Sequence, residues 1–355
     1  MTKPAAPQVR QAIAAMQPYS PPTSGRGGML RLDFNENTVG CSPRVVEKLR
    51  QAASADFLTV YPEYESSRGE MAAFFGVGAD ELTFSDGTDE GIHVVLQTFV
   101  NPGDEVLIPA PAFPMFKFYA QVADAKPVLV PYPEADLTFP LDALLGAISP
   151  RTGAIIIANP NNPTGTAIDL ATIERILQQA PGAAVLIDEA YFEFYGVTAL
   201  KLLASYPNLF VSRTFSKTYG LAGLRVGCVF SQAQNMAAMR KGQSPYSVTS
   251  LGIVCALEAV QDQDYLNAYV REVLEARSQL YAALDRLGIQ SFPSEANFIL
   301  TRYKDDETAQ RVYTELKARG ILVRPRGKEV ARTVRFTVGN LEQTGRLITA
   351  LEEIL

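Results

Sequence analysis

The stretch GAIIIANPNNPTGTAIDLATIERILQQAPGAAVLID, residues 153–188, decides the fold. It opens on an apolar strand (153–158) and breaks at two Asn-Pro pairs followed by Thr164 and Gly165. It then predicts a helix over Asp169–Gln178 and closes on a second apolar strand (183–188). Both strands are short runs of Ile, Val, Leu and Ala without polar alternation, as expected where helices cover both faces of a parallel sheet. The pattern repeats outward in both directions. Toward the N-terminus stand a strand LTFS (82–85), a helix Asp89–Val100, a strand DEVLIP (104–109), a helix Phe113–Val122 and a strand KPVLVP (126–131). Toward the C-terminus follow NLFVSR (208–213) and RVGCVFS (225–231). After Ser244 the character changes to helical runs at Val248–Val260 and Asp264–Leu287. Then come FILTRY (298–303), a helix near Glu307–Arg319, ILVR (321–324), VRFTV (334–338) and a terminal helix. The expectation is an α/β protein with a mainly parallel sheet sandwiched by helices and a smaller α+β C-terminal domain. Residues 1–30, rich in Pro, Gly and Ser, read as an arm. Residues 31–265 form the large domain and 266–355 the small one, joined by the N-terminal segment.

Composition narrows the function classes. The chain has 355 residues and a formal net charge of −6, with no Lys/Arg run able to track a phosphate backbone. Its apolar runs are shorter than a membrane span, and residues 1–17 lack a secretory leader pattern. Cys41, Cys228 and Cys255 are odd in number and widely spaced, which predicts free thiols in a reducing cytoplasm. His93 is the only histidine and reads as a helix residue with a local hydrogen bond, so a general base here is not histidine. No carboxylate cluster has metal-ligand spacing, and no GxGxxG follows the first strand, which disfavours metal and nicotinamide chemistry.

The residues able to do chemistry fall after successive strands. In SRTFSKTYGLAGLRVG (212–227), Ser216 and Arg225 suit a phosphate, and the glycines at 220, 223 and 227 permit close backbone approach to Lys217. Asp188 ends an apolar strand, with Tyr191 three residues on. Ligands of open parallel sheets bind beyond those carboxyl ends, where an acid facing a pyridine nitrogen would keep it protonated. Asn162 stands in a rigid turn that admits a cis Asn-Pro bond. Gly87, Thr88 and Asp89 open a helix whose N-terminus suits an anion, and Phe113 follows two prolines where it can stack on a flat ring.

Taken with QPYSP (17–21), LDFNEN (32–37), YPE (61–63), GILVR (320–324) and VRFTVG (334–339), these motifs resemble the fold-type I pyridoxal-5′-phosphate aminotransferases of class II. More narrowly, the chain resembles the histidinol-phosphate aminotransferase family over nearly its whole length. The resemblance implies that Lys217 carries the cofactor and shuttles the proton, Asp188 pairs with the ring nitrogen, and Asn162 and Tyr191 bind the ring oxygen. Phe113 would stack on the ring where the family usually has Tyr. Gly87, Thr88, Asp89, Ser216 and Arg225 would hold the phosphate, assisted by Thr214. Tyr61 would reach the neighbouring subunit's cofactor, implying a homodimer with shared active sites. Arg335 would bind a substrate carboxylate, and Arg324, Tyr19 and Asn35 would line the substrate pocket. The partners implied are a small amino donor and a 2-oxo acid. Thr38 and Cys41 in NENTVGCSP, and Pro114 and Phe116, depart from the family near the substrate entrance. They bear on the amino donor and not on the chemistry, and leave an aromatic or other amino-acid aminotransferase open; a PLP-dependent decarboxylase or lyase on the same fold is a further reading.

Overall fold

A computed structural model describes residues 7–18 and 24–355. Tyr19, expected in the substrate pocket, lies outside the described residues. The strands among the described residues are β1 (Leu30–Leu32), β2 (Leu82–Asp86), β3 (Glu105–Ala110), β4 (Lys126–Pro131), β5 (Thr152–Ala158), β6 (Ala184–Asp188), β7 (Leu209–Thr214), β8 (Val226–Phe230), β9 (Gln290–Ser291), β10 (Phe298–Arg302), β11 (Ile321–Pro325) and β12 (Thr333–Thr337). Seven of them form one sheet in the order β2-β8-β7-β6-β5-β3-β4. All its neighbour pairs are parallel except those of β8, which runs against both β2 and β7.

The apolar strands make sense residue by residue. Ile155, Ile157, Val185, Ile187, Leu209 and Val211 turn to one face of this sheet and join one core. Ala154, Ile156, Ala158, Ala184, Leu186 and Phe210 alternate to the other face and join a second. Helices cover both, so neither set is left polar. The helix Leu170–Gln179 shows the match on the covering side. Asp169 caps its N-terminus by accepting from the Thr172 N–H at 2.8 Å, and Ile173, Ile176 and Leu177 are buried against the sheet. Each such fully buried side chain contributes about 1.5–3 kcal/mol.

The second sheet has the order β1-β11-β12-β10-β9. β1 pairs in parallel with β11 at Leu30↔Ile321 through Leu32↔Val323, so the end of the N-terminal segment is a strand of the smaller sheet. The core of this part includes Leu32, Val273, Leu280, Phe298, Phe336 and Leu351, and also Tyr191 and Phe194 from the N-cap and body of the short helix Phe192–Tyr195 after β6. The helix Gln263–Arg286 starts just before residue 265 and carries the chain from one part to the other.

One expectation is corrected and two are borne out. The local hydrogen bond expected at His93 is absent: Nδ1 is buried without a partner. The ring packs instead 5.2 Å from that of Tyr119, and burial pushes its pKa down. The tight turn after β5 holds two cis bonds, Asn159-Pro160 and Asn162-Pro163, with a third at Ala110-Pro111. All three cysteines are free, with Cys228 and Cys255 buried.

Candidate active site

The parallel strands of the large sheet end on one side, and the residues singled out in the sequence lie on the loops beyond them. Register brings Ala158 of β5, Asp188 of β6 and Ser212 of β7 into line. Asn162 follows β5, Tyr191 follows β6, and Thr214, Ser216 and Lys217 end or follow β7. Phe113, after β3, caps the helix Pro114–Val122. A cavity of about 530 Å³ opens there, and its walls include Thr88, Asp89, Phe113, Asn162, Asp188, Tyr191, Thr214, Ser216, Lys217, Arg225, Asn35, Arg324 and Arg335.

Lys217 Nζ donates to the Phe34 carbonyl at 2.8 Å. Burial, with the nearby Arg335 charge, pulls its pKa down to about 8, so the amine loses its proton far more readily than a surface lysine. Asp188 is buried and accepts from Ser212 Oγ at 2.7 Å. Desolvation pushes its pKa up to about 7. A carboxyl group placed this way is stabilised by a cation that arrives with a ligand, such as a protonated ring nitrogen. Tyr191 OH accepts from Asn35 Nδ2 at 2.9 Å, and Asn35 is held at a positive φ of 56° by two 3.0 Å hydrogen bonds with Thr337 Oγ1.

The anion-binding end rests on close backbone approach. Gly87, at φ 66°, opens the helix Gly87–Phe99, and a Cβ there would lie 2.3 Å from Arg225 Nη2. A Cβ on Gly227 would lie 2.8 Å from both the Gly87 carbon and the Thr88 nitrogen. Only glycine permits this cradle. Arg225 donates to Asp89 Oδ2 at 3.1 Å and to Ser216 Oγ at 3.4 Å. The reading of Asp89 as a phosphate holder is refined accordingly: its carboxylate pairs with Arg225 and would repel a dianion, so the part of Asp89 suited to a phosphate is its N–H in the first helical turn.

Arg335 is buried and donates to the Asp33 carbonyl at 2.6 Å and to Asn162 Oδ1. Burial, with Arg326 and Arg324 nearby, lowers its pKa to about 9. Asn162 is therefore engaged through its oxygen, which leaves its amide N–H groups for a ring hydroxyl. Tyr61 is not part of this chain's cavity: it is 73% exposed and stacks 4.5 Å from Tyr246.

Sequence reasoning missed Phe34, Glu36 and Arg326 on the cavity wall. It also missed the support behind it. Arg213 is buried and donates to Glu189 Oε2 at 2.7 Å and Thr198 Oγ1 at 3.0 Å, with its guanidinium 3.5 Å from the Phe192 ring centre. Glu193 accepts from Thr218 Oγ1 at 2.9 Å, next to Lys217. A charge inside an otherwise apolar strand was the available signal, since such a group is almost always paired.

A ring with a phosphate, a ring oxygen and a basic nitrogen fits this donor set: a glycine cradle with a guanidinium at one end, a buried acid at the other, and a depressed-pKa lysine between elements that face both. The acid gives a direct check. In cofactor-free protein, stability is expected to fall as pH rises from about 4 to about 7, because the folded state holds the Asp188 proton more tightly than the unfolded value of 3.8 allows. Above that window the full penalty applies, on the order of a few kcal/mol. Asp188→Asn should flatten this slope and be the more stable apoprotein at pH 8, while losing most activity. Urea unfolding at pH 5 and pH 8 measures it, and an unaltered slope in the variant would assign the pH dependence elsewhere.

The comparisons with known proteins agree with this geometry. Residues 28–351 match the family described as "Aminotransferase class I and II". The chain is 35% identical over 345 residues to a histidinol-phosphate aminotransferase of Roseobacter denitrificans, covering 96% of this chain and 95% of that protein. It is 37% identical over 331 residues to one of Dehalococcoides mccartyi, covering 92% and 90%. Among solved structures, the histidinol-phosphate aminotransferase of Sinorhizobium meliloti in complex with pyridoxal-5′-phosphate superposes with a TM-score of 0.88 at 26% identity, over 99% of this chain and 98% of that one. The chain belongs to the class I and II aminotransferases, pyridoxal-phosphate enzymes of the fold-type I architecture, and within them to the histidinol-phosphate aminotransferase family.

Proposed function

We propose that this aminotransferase takes the amino group of histidinol phosphate and passes it to 2-oxoglutarate, working in the cytoplasm as a homodimer. The observation that carries the donor assignment is the pairing of Arg324 with Arg335 across β11 and β12, which sets two guanidiniums on the wall of the Lys217 cavity. Two anionic substrates must use one pocket in turn, and guanidiniums suit both carboxylate and phosphate. The similarity to histidinol-phosphate aminotransferases supports the same donor.

Pyridoxal phosphate, when bound, supplies an aldehyde that takes up the amine and a ring that accepts the electron pair released at the substrate Cα. The chain's own groups divide the remaining work. Lys217 holds the cofactor, then removes the Cα proton and returns it; its depressed pKa keeps Nζ neutral enough to act as a base. Asp188 presents its carboxylate to the ring nitrogen, Asn162 and Tyr191 orient the ring oxygen, and Phe113 covers a ring face. Gly87, Thr88 and the Asp89 N–H, with Thr214, Ser216 and Arg225, bind the phosphate. Arg335 takes the carboxylate of the amino-acid partner, while Arg324 and Asn35 shape the rest of the pocket.

The dimer is part of the same proposal. Leu58, Val60, Tyr61 and Tyr246 are each more than half exposed, an apolar group suited to a partner subunit whose cofactor Tyr61 would reach. The division into a large domain (31–265), a small domain (266–355) and an arm (1–30) also belongs to it.

A substrate panel tests the donor. The cofactor absorbance should bleach on adding histidinol phosphate and return with 2-oxoglutarate. Bleaching by phenylalanine but not by histidinol phosphate would replace the donor with an aromatic amino acid. Bleaching that 2-oxoglutarate fails to reverse would favour a decarboxylase.

A further inference from the structure

A hydroxyl stands beside the buried acid of the site. Ser212 of β7 is the register partner of Asp188 on β6. Its partner on β8 is Val229, and the partner of Asp188 on β5 is Ala158. Register partners point to the same face, so these four side chains make one row across the sheet. Ala158 and Val229 belong to the apolar core on that face. The row is apolar at both ends and holds one acid and one hydroxyl between them, 3% and 0% exposed. The Asn159 N–H donates to the Asp188 carbonyl and the Glu189 N–H to the Ser212 carbonyl, each at 2.9 Å, so the ladder holds both backbones in place. Ser212 Oγ donates to Asp188 Oδ1 at 2.7 Å. Among the described residues it is the one side chain that hydrogen-bonds this carboxyl group, which lines the Lys217 cavity. Apolar side chains fill the flanking positions, so packing alone does not call for a serine here. Burial is the largest influence on Asp188 and disfavours its charge. Ser212 is the strongest influence in the other direction, ahead of the Lys217 amine, while Asp89 at the start of the helix Gly87–Phe99 and the adjoining Glu189 repel the charge. The Tyr191 hydroxyl also feels it. A hydrogen bond to a carboxylate favours its ionised form.

We propose that Ser212 is a positioning residue for the cofactor: by donating to Oδ1 it fixes the Asp188 carboxylate with Oδ2 turned to the cavity, where the ring nitrogen is taken. This rests on the reading of Asp188 as the partner of that nitrogen and deepens it, since the acid then acts through a geometry set from the neighbouring strand.

The test titrates the full-length apoprotein with two ligands. The first is pyridoxamine phosphate, which binds without a covalent bond to Lys217. The second is its analogue with the ring nitrogen replaced by CH. Ser212→Ala should weaken the first about tenfold, as expected for a lost hydrogen bond to a charged group, and the second by less than about twofold. Ser212→Thr keeps the donor and should stay within about threefold of the wild type for both. A second readout needs no ligand. Without the hydroxyl the folded acid holds its proton more tightly, so the fall in apoprotein stability with rising pH should run on from about 7 to about 8 in Ser212→Ala. In an Asp188→Asn background the same substitution should leave the pH profile unchanged. Equal weakening of both ligands, no weakening of either, or a profile that still ends near pH 7 overturns the proposal. The two readings fail differently. Weaker pyridoxamine phosphate binding in Asp188→Asn but not in Ser212→Ala removes the role of Ser212 alone, whereas no loss in either variant removes the ring-nitrogen role of Asp188 as well.

Discussion

Replacing Lys217 with alanine is expected to lower transamination by at least about four orders of magnitude while leaving the fold intact. Two roles disappear together, the covalent hold on the cofactor and the base that moves the Cα proton. Proton transfer alone contributes about 10²–10⁴ in rate, and loss of the nucleophile adds to it. The substitution is structurally mild because Lys217 lines a cavity and, among the described residues, its side chain hydrogen-bonds to the Phe34 carbonyl alone. Steady-state rates with histidinol phosphate, alongside an unfolding curve, measure both quantities. A variant retaining a few per cent of wild-type activity would remove Lys217 from the chemistry. The pH profile carries the same signature: with its pKa near 8, wild-type Lys217 should gain activity as a base as pH rises toward and past that value.

The largest expected effect on stability lies one layer behind the cavity. Arg213→Met removes the cation that Glu189 and Glu193 share, at 2.7 Å and 3.8 Å, among side chains that are all nearly inaccessible to solvent. Both carboxyls already have pKa values raised by burial, so the variant leaves two acids desolvated and unmatched. Breaking a buried pair in this way costs about 3–5 kcal/mol, a large part of a typical folding stability of about 5–15 kcal/mol. The deficit should shrink at low pH, where the stranded acids take up protons, and grow as pH rises. Urea unfolding at pH 5.5 and pH 8 reads the sign. A loss below about 1 kcal/mol, or one independent of pH, would show that the network is relieved by water or by rearrangement.

The parts of the fold that could be read in the sequence are those where a local pattern and the tertiary environment say the same thing. β4 spans KPVLVP as expected although it is a half-exposed edge strand, and β5 to β8 lie within a residue of their apolar runs because burial on both of their faces leaves no polar position to blur the pattern. The helices Pro43–Ala52 and Tyr64–Phe75 escaped. The second buries only Met71 and Ala72 and so carries a faint apolar stripe, whereas Ser42 before Pro43 was a usable cap signal for the first. The pairing of Leu30–Leu32 with Ile321–Val323 spans most of the chain, and nothing local encodes it.

The site divides along the same line. Lys217, Asp188, Asn162 and Tyr191 were legible because each follows a strand whose end is visible in the sequence. Arg326 was not: RPRGK reads as a polar turn, and its place on the cavity wall depends on the β11–β12 ladder running one residue further than the apolar pattern shows. Arg213 and Glu189 were passed over because each adjoins a more conspicuous motif, although charges within such apolar strands require partners.

The central claim is that one buried amine, that of Lys217, holds the cofactor. Reducing the holoenzyme with borohydride and mapping its peptides tests this most directly. A single phosphopyridoxyl label on the peptide containing Lys217 is the predicted result. A label on any other lysine, or none, would contradict it.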